Sequence, residues 1–590
     1  MKEKWLLKNK KTEFQKLQKE CNEGLLTLRL LSNRGIDNKK AASLFLYGDI
    51  KEMHDPFAMK DLEKAVNILK DAIDTGKRIV IYGDYDCDGV CSTAVLYKGL
   101  KKLNANFKYH IPNRESEGYG MNKDRIKILK EEGAEIILTC DNGISAFEEV
   151  KLAKDLGMKV ILTDHHDIPI VEEDGVKVKK MPEADVVINP KREDCTYPFK
   201  GLCGAGVSFK VLQGLYRVYG IEEEVFELLE YVSIATVCDV VDLLDENRII
   251  VKEGLKLIRN TNKIGIKELI KVKELEGKEI AEYHFGFVIG PCINATGRLE
   301  IADISVELLI TEDENRAKEL AEKLNELNKI RQELTLESVE KVTEKVQKEI
   351  KNNDKVIVVY EDTIHESIAG IVAGRIKEKY NLPTIVLTKG KEMPKGSARS
   401  IEEYNMFEEL SECKDLMEKF GGHPMAAGLS IKEENINKLR EKLNKIAKLT
   451  EDDITPKVHI DTTLALEDLN YELLDEINRM KPFGKANPSP CFGGKKVHVT
   501  NVFFMGAEKK YLRFKIAMKN GKTIDGVNFT KYEDFKEMFE NTFGEEEFLR
   551  LQYNGGRCNF YMDIIYYPDI NEFRNIKNIQ LNIKSFRVSE

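Results

Sequence analysis

Short, unbroken hydrophobic runs rich in β-branched residues recur in the first third of the chain: RIVIY at 78–82, EIILTC at 135–140 and KVILT at 159–163. Continuous rather than alternating, they read as strands buried on both faces of a parallel sheet. Segments 90–104 and 144–157 carry apolar residues at mixed three- and four-residue spacings and end near Asn104 and Gly157, as amphipathic helices do. This alternation predicts an α/β fold with a doubly wound parallel sheet, whose ligands bind beyond the carboxyl ends of the strands.

The pattern then changes. After Gly297 no glycine or proline occurs until Gly370, and Ala317, Leu320, Ala321, Leu324, Leu327, Ile330 and Leu334 fall at helical spacing in a charged background. A helix over about 313–350 would span roughly 55 Å, enough to hold two domains apart around a cleft. KVIVVY at 355–360, a helical stretch Ser367–Tyr380 and PTIVLT at 383–388 predict a second β-α-β unit. From about 455 the residues alternate, with strands expected at Lys495–Phe504, Tyr511–Met518, Thr523–Phe529 and Cys558–Tyr566, hence a small all-β barrel. Residues 1–60 look helical and connective, with an apolar cluster at Leu25, Leu28, Leu30 and Leu31. The expected divisions are an N-terminal helical segment 1–60, a catalytic domain 61–300, a connecting helix 301–350, a second α/β domain 351–450, a barrel 451–570 and a basic tail 571–590.

Acidic and imidazole side chains crowd the ends of the first three strands: GDYDCDG at 83–89, DNG at 141–143 and DHH at 164–166. Asp84, Asp86, Asp88, Asp141, Asp164, His165 and His166 are therefore sent to one sheet edge, and Asp239, ending the helical-looking segment Val225–Cys238, could reach it from the side. One aspartate at a strand end usually caps the next helix. Clusters after three buried strands are harder to explain that way. Like-charge repulsion of about 4 kcal/mol per carboxylate pair at 4 Å demands a cation, and a donor set of Asp oxygens with imidazole suits Mn²⁺ or Mg²⁺ better than structural zinc. Two such ions can clamp the attacking water and leaving oxygen of a displacement at phosphorus. In the second unit, GSARS at 396–400 and GGHPMAAG at 421–428 combine small residues with Ser397, Arg399 and His423, groups that suit a phosphate.

With 590 residues, 42% of them hydrophobic, the chain supports several cores, and a net charge of −9 confines any nucleic-acid contact to local patches. One such patch is Ile477–Lys496, where Arg479, Lys481, Lys485, Lys495 and Lys496 interleave with Pro482, Phe483, Pro488 and Phe492 and no acid intervenes. The tail adds Arg574, Lys577, Lys584 and Arg587. Eleven cysteines without C-x-x-C pairing imply reduced thiols, and Cys87, Cys140 and Cys238, beside candidate ligands, read as small buried fillers. MKEKWLLKNKK lacks the apolar core of a signal peptide and no apolar run reaches 18 residues, so a cytoplasmic protein without a membrane role is expected.

The ordered set YGDYDCDG, DNGIS, TDHHD, CDVVDL, INATGR, GSARS, GGHPMAAG and KPFGKANPSPCF resembles the DHH phosphoesterase superfamily over roughly residues 61–566. GLCGAGVSFK at 201–210 and the PFG-x-x-NP sequence at 482–488 resemble its branch of single-strand-specific 5′→3′ DNA exonucleases. The resemblance implies a DHH domain, a DHHA1-type domain and an OB-type barrel, acting in DNA recombination and repair. It implies that Asp84, Asp86, Asp141, His165 and Asp239 hold two divalent ions, Mn²⁺ or Mg²⁺, supported by Asp164 and His166, with Asp88 behind them. Arg114, Arg298, Ser397 and Arg399 would contact the phosphate and the DNA end, and His423 would face the scissile phosphate. Single-stranded DNA is the implied partner, with a single-strand-binding protein and a helicase as further ones. A DHH phosphodiesterase for oligoribonucleotides or other small phosphoesters, and a non-catalytic DNA-binding scaffold, are the competing readings.

Overall fold

In the computed structural model, which describes residues 3–173, 176–351, 353–553, 555–573 and 576–589, the run IVIY becomes β1 (Ile79–Tyr82), buried throughout. β2 (Phe107–His110), β3 (Ile136–Thr139), β4 (Lys159–Thr163) and β5 (Val186–Ile188) pair with it in the order β2-β1-β3-β4-β5, every pairing parallel. Alternate residues feed two cores. Ile79, Ile81, Ile136 and Leu138 pack into the larger, while Val80, Tyr82, Ile137 and Val160 pack into the other. A sheet buried on both faces can present polar chemistry only at its ends, and helices α1 (Cys87–Lys102) and α2 (Phe147–Asp155) start just beyond the carboxyl ends of β1 and β3.

α3 (Gly204–Val218), α4 (Leu229–Cys238) and α5 (Gly290–Leu299) complete this domain. α6 (Glu314–Glu349) follows; at 36 residues it is about 54 Å long. Its Ala317, Leu320, Ala321 and Leu324 belong to the first core, whereas Val342 and Val346 belong to the next domain's core. One helix is thus a structural member of both domains.

The second α/β domain has a mixed sheet. β6 (Ile357–Tyr360) lies parallel to β7 (Thr384–Thr388), and β8 (Lys395–Arg399), β10 (Ala426–Ile431) and β9 (Met417–His423) add on antiparallel in the order β9-β10-β8-β7-β6. α7 (Ala369–Tyr380) packs on one face through Val372, Ala373 and Ile376. Ala398, Ala427 and Leu429 point to the core on the opposite face.

Residues 49–455 form one compact unit; residues 1–48 and 456–590 form the other. The N-terminal segment expected to be connective is built into that second unit, because Lys4–Leu7 runs parallel to Lys457–Ile460, and Asn33 donates to the Asp461 carbonyl over 2.9 Å. β11 (Phe492–Met505), β12 (Tyr511–Ala517), β13 (Thr523–Asn528), β14 (Arg557–Phe573) and β15 (Ile576–Val588) close into a barrel, with β11 pairing β14. The expected basic tail is therefore a correction: β15 is a barrel strand held from both sides, and its alternation of buried Leu581, Ile583 and Ser585 with polar neighbours was masked by the lysines. Lys577 pairs with Glu572, and Arg587 pairs with Asp563 and lies 4.4 Å from the Trp5 ring centre. Arg574 lies outside the described residues.

Candidate metal centre and substrate pocket

Three turns bring the acidic motifs together. After β1 the chain reaches Asp84, then Asp86, whose Oδ1 accepts from the Asp88 and Gly89 amides and so caps α1. After β3, Asp141 adopts a left-handed φ of 62°, which a short acidic side chain tolerates. α3 approaches so closely that a Cβ on Gly204 would come within 2.5 Å of the Asp141 Cβ, so glycine is required there. The amides of Gly204 and Ala205 donate to Asp88 at 2.6 and 2.8 Å, which gives the GLCGAG sequence its role: it fixes Asp88 at a helix N-terminus. After β4, Asp164 accepts from Ile144, His165 and His166 amides and from His166 Nδ1 at 2.7 Å.

The donor atoms converge in three overlapping groups, each with its atoms within 4.8 Å of one another: Asp84, Asp86 and Asp141; Asp141, His165 and His166; Asp88, His165 and Asp239. His165 Nε2 lies 3.1 Å from Asp141, 3.7 Å from Asp88 and 3.7 Å from Asp239. Yet Asp84 Oδ1, Asp141 Oδ1 and His165 Nε2 are buried without a hydrogen-bond partner. Leaving such atoms unsatisfied costs about 1–3 kcal/mol each. The His165 Nε2 faces the Asp141, Asp88 and Asp239 carboxylates, the placement a metal ligand requires. The donor set fits a pair of hard divalent cations.

The electrostatics agree. Burial and then Asp86 hold the Asp84 carboxyl well above its ordinary range, and burial and then Asp88 do the same to Asp141. Burial with neighbouring carboxylates pushes Asp239 up to about 8 and Asp88 up to about 6. Asp164 goes the other way: burial opposes its charge, but the His166 contact prevails and holds it at about 2. Burial and His166 drive His165 down to about 3, while the Asp164 contact overcomes burial and lifts His166 to about 9.

Beside the acids lies a cavity of about 180 Å³, lined among others by Asp86, Arg114, Arg298, Ser397 and Arg399. Arg298 Nη1 donates to the Ser367 carbonyl over 2.8 Å, tying the first domain to the second, and burial with Arg114 nearby pushes it down to about 10. Arg399 is likewise lowered by burial. Arg114 lies 5.2 Å from the Tyr85 ring centre. Asp86 and Glu366 are the carboxylates that line the cavity with these cations. His423 lies on exposed β9, outside the three acid groups and the cavity lining; the Asp167 carboxyl is lowered chiefly by its Lys191 contact, with His423 a smaller contributor.

In the second unit the basic stretch divides. Arg479 bonds Glu23 and Tyr47, and Asn487 of the PFG-x-x-NP sequence donates to the Met480 and Pro482 carbonyls, so this part is largely structural. Lys495 and Lys496 instead line a groove of about 750 Å³ with Lys519, His498 and Tyr561; the last two rings stack at 4.9 Å. Two asparagines to which the sequence patterns assign no role, Asn142 and Asn294, also shape the site. Asn142 donates to the Tyr82, Gly83 and Cys140 carbonyls, and Asn294 accepts from Cys87, so each pins a ligand-bearing turn; their places in DNG and INATGR were the available signal. All eleven cysteines are free thiols, and burial raises Cys140 to about 12, as for an inert filler.

A parallel sheet whose carboxyl edge gathers aspartates and a His pair, joined to a second α/β domain, defines the DHH class of phosphoesterases. The DHH family N-terminal domain matches residues 78–236, the DHHA1 domain 353–449 and the RecJ OB domain 460–585. The single-stranded-DNA-specific exonuclease RecJ of Bacillus subtilis is 38% identical over 96% of this chain and 68% of its own length, and that of Haemophilus influenzae 32% identical over 94% of each. The chain belongs to the RecJ family. Its fold matches a crystal structure of RecJ from Thermus thermophilus in complex with Mn²⁺, with a TM-score of 0.80 at 24% identity over 100% of this chain and 80% of that one. A structure of exonuclease RecJ bound to manganese covers 67% of this chain and 96% of its own at 32% identity, with a TM-score of 0.57.

Proposed function

We propose that this chain is a single-strand-specific DNA exonuclease that removes nucleotides from the 5′ end by phosphodiester hydrolysis, in recombination and repair. The observation that carries the proposal is the juxtaposition of three unpartnered buried ligand atoms with an arginine-lined cavity. Asp84, Asp86, Asp141, His165 and Asp239 would hold two divalent ions, Mn²⁺ or Mg²⁺, which supply an activated water and neutralise charge at phosphorus. Asp164 fixes His166 and receives the backbone of the DHH turn, so these two position the ligands. Asp88 is held by α3 and steadies the side of the cluster nearest Asp239. Arg114, Arg298, Ser397 and Arg399 bind and orient the terminal phosphate, placing the first internucleotide phosphorus at the acids. His423, on β9 in the same cross-strand row as Arg399, would face the scissile phosphate from the second domain.

The barrel groove, with lysines beside a stacked His498–Tyr561 pair, suits a strand's backbone and bases and favours a long substrate over a small phosphoester. The complete ligand set disfavours a non-catalytic scaffold. No helix among the described residues is long and apolar enough to cross a membrane. A cytoplasmic setting, with a single-strand-binding protein and a helicase supplying strands, completes the proposal. The test is digestion of end-labelled single- and double-stranded oligonucleotides, with and without a 5′-phosphate, in Mn²⁺ and in EDTA. Metal-dependent release of mononucleotides from the 5′ end of single strands is expected; release from the 3′ end, or equal attack on duplex, would refute it.

A further inference from the structure

The substrate-side face of the second sheet carries a row of cations that the reaction above does not use. Because β9, β10 and β8 pair in register, side chains on this face form cross-strand rows: Arg399, Ala426 and His423 in one, Ser397, Gly428 and Gly421 in the next, and Lys395, Ser430 and Lys419 in the third. Ala398, Ala427 and Leu429 between them point into the core, so the rows share one face. Successive rows are about 6.7 Å apart. The middle row is nearly bare, since a Cβ on Gly421 would meet nothing within 4 Å and one on Gly428 only the Gly396 carbonyl at 4.0 Å.

A second cavity of about 360 Å³ lies over the middle and third rows, lined by Arg114, Lys395, Lys419 and Ser430 together with the glycines. It shares Arg114, Glu366 and Ser397 with the arginine-lined cavity but lacks Asp86, the acid by which that cavity meets the metal centre. The order is therefore acids, terminal-phosphate cavity, then this one. Whatever occupies it lies beyond the terminal phosphate on the 5′ side. Glu366 is its one lining carboxylate and pairs with Lys395 at 2.7 Å; with both side chains nearly half exposed, this contact is weak enough for an anion to displace. Arg114, Lys395 and Lys419 leave a cationic excess that another nucleotide, adding one charge along with a base and sugar, would match poorly.

We infer that Lys395, Lys419 and Ser430 form a subsite for the β- and γ-phosphates of a 5′-triphosphorylated strand, letting the enzyme start on such ends directly. This rests on the exonuclease reading above. Water would add to the first internucleotide phosphorus as its bond to the 3′ oxygen breaks. The first product is then a nucleoside 5′-triphosphate with a free 3′-hydroxyl, and the shortened strand keeps a 5′-monophosphate.

The experiment compares strands bearing 5′-hydroxyl, 5′-monophosphate and 5′-triphosphate, using the full chain with Mn²⁺ and chromatography of the first product. A nucleoside triphosphate is expected first from the triphosphorylated strand, with KM no higher than for the monophosphate. Lys395→Ala with Lys419→Ala should raise KM for triphosphate ends roughly tenfold, as for two partly exposed charge contacts, and for monophosphate ends less than twofold. Glu366→Gln should lower KM for triphosphate ends. The inference falls if triphosphate ends bind no better than hydroxyl ends, or if the double variant weakens mono- and triphosphate ends alike. Failure to cleave monophosphorylated strands would instead overturn the exonuclease reading, and anisotropy binding of the labelled strands in EDTA would then judge the subsite by the same comparison.

Discussion

The acid cluster at the end of the first sheet and the arginine cluster beside it have opposite charge and one feature in common: each crowds like-charged groups into a buried place. The acids crowd until burial and mutual repulsion raise their carboxyls well above the ordinary carboxylate range. Among the arginines, burial and like-charged neighbours lower even Arg298. The acids lie on turns after rigid parallel strands, whereas the arginines come from the 112–120 loop, helix α5 and strand β8, in two domains joined by α6. A rigid cradle suits a small ion of fixed coordination. A pocket gathered from two domains suits a phosphate arriving on a polymer.

The largest expected effect breaks the acid side. Asp141→Ala removes a group shared by two of the donor clusters and should lower kcat/KM on a phosphorylated single strand by on the order of 10³-fold. Its melting temperature in EDTA should not fall, because one repelling carboxyl is gone. Undiminished cleavage would remove Asp141 from the centre. On the arginine side, Arg298→Ala or Arg399→Ala should raise KM for phosphorylated ends about 10- to 100-fold, the worth of a charge-assisted hydrogen bond, while hydroxyl-ended strands change little. Equal effects on both ends would mean these arginines hold the domains together rather than the substrate.

A third test sharpens the contrast without turnover. Mn²⁺ at a hundred times its dissociation constant should stabilise the wild type by about 2.7 kcal/mol for each ion bound, read by calorimetry, and Asp84→Asn should abolish the share of the ion it helps to hold. Fourth, Asp239 has its carboxyl pushed up to about 8 in the folded protein against 3.8 ordinarily. Between these values the native state keeps a proton that the unfolded chain has lost, so Asp239 makes the metal-free protein lose stability as pH rises from about 4 to about 8; His165, held at about 3, opposes this below about 6.5, and the net fall should be steepest from there to about 8. Asp164, held at about 2, acts only below that window, where its contribution is lost as pH falls. A flat melting temperature across pH 4–8 in EDTA would contradict the crowding argument. The smallest effect is expected for Arg479→Ala: under twofold on single-strand affinity and about 1 kcal/mol or less on the stability of the barrel unit, as for other partly exposed ion pairs.

What could be read from the chain follows the physics of each element. The runs at 79–82, 136–139 and 159–163 are legible because a strand buried on both faces has almost no choice but β-branched and aliphatic residues, and the acids after them then share an edge by topology alone. α6 announced itself through helical periodicity uninterrupted by glycine or proline. β15 did not, because a barrel strand exposes every other residue and its solvent face is rich in polar and basic residues. Nor could the chain reveal that Arg479 is occupied by Glu23 and Tyr47, since that depends on a contact between residues more than 400 positions apart. Charge patterns show how many cations a stretch has, not which of them are spent on folding.

The parallel pairing of Lys4–Leu7 with Lys457–Ile460 has a consequence for biosynthesis. Residues 4–7 must wait until residues 457–460 have been made before they find their partners, while residues 49–455 can complete their cores in the interval. The unit over residues 49–455 would then mature before the strand pairing that joins residues 4–7 to 457–460, and a nascent chain arrested before residue 456 would hold that unit with residues 4–7 still unpaired.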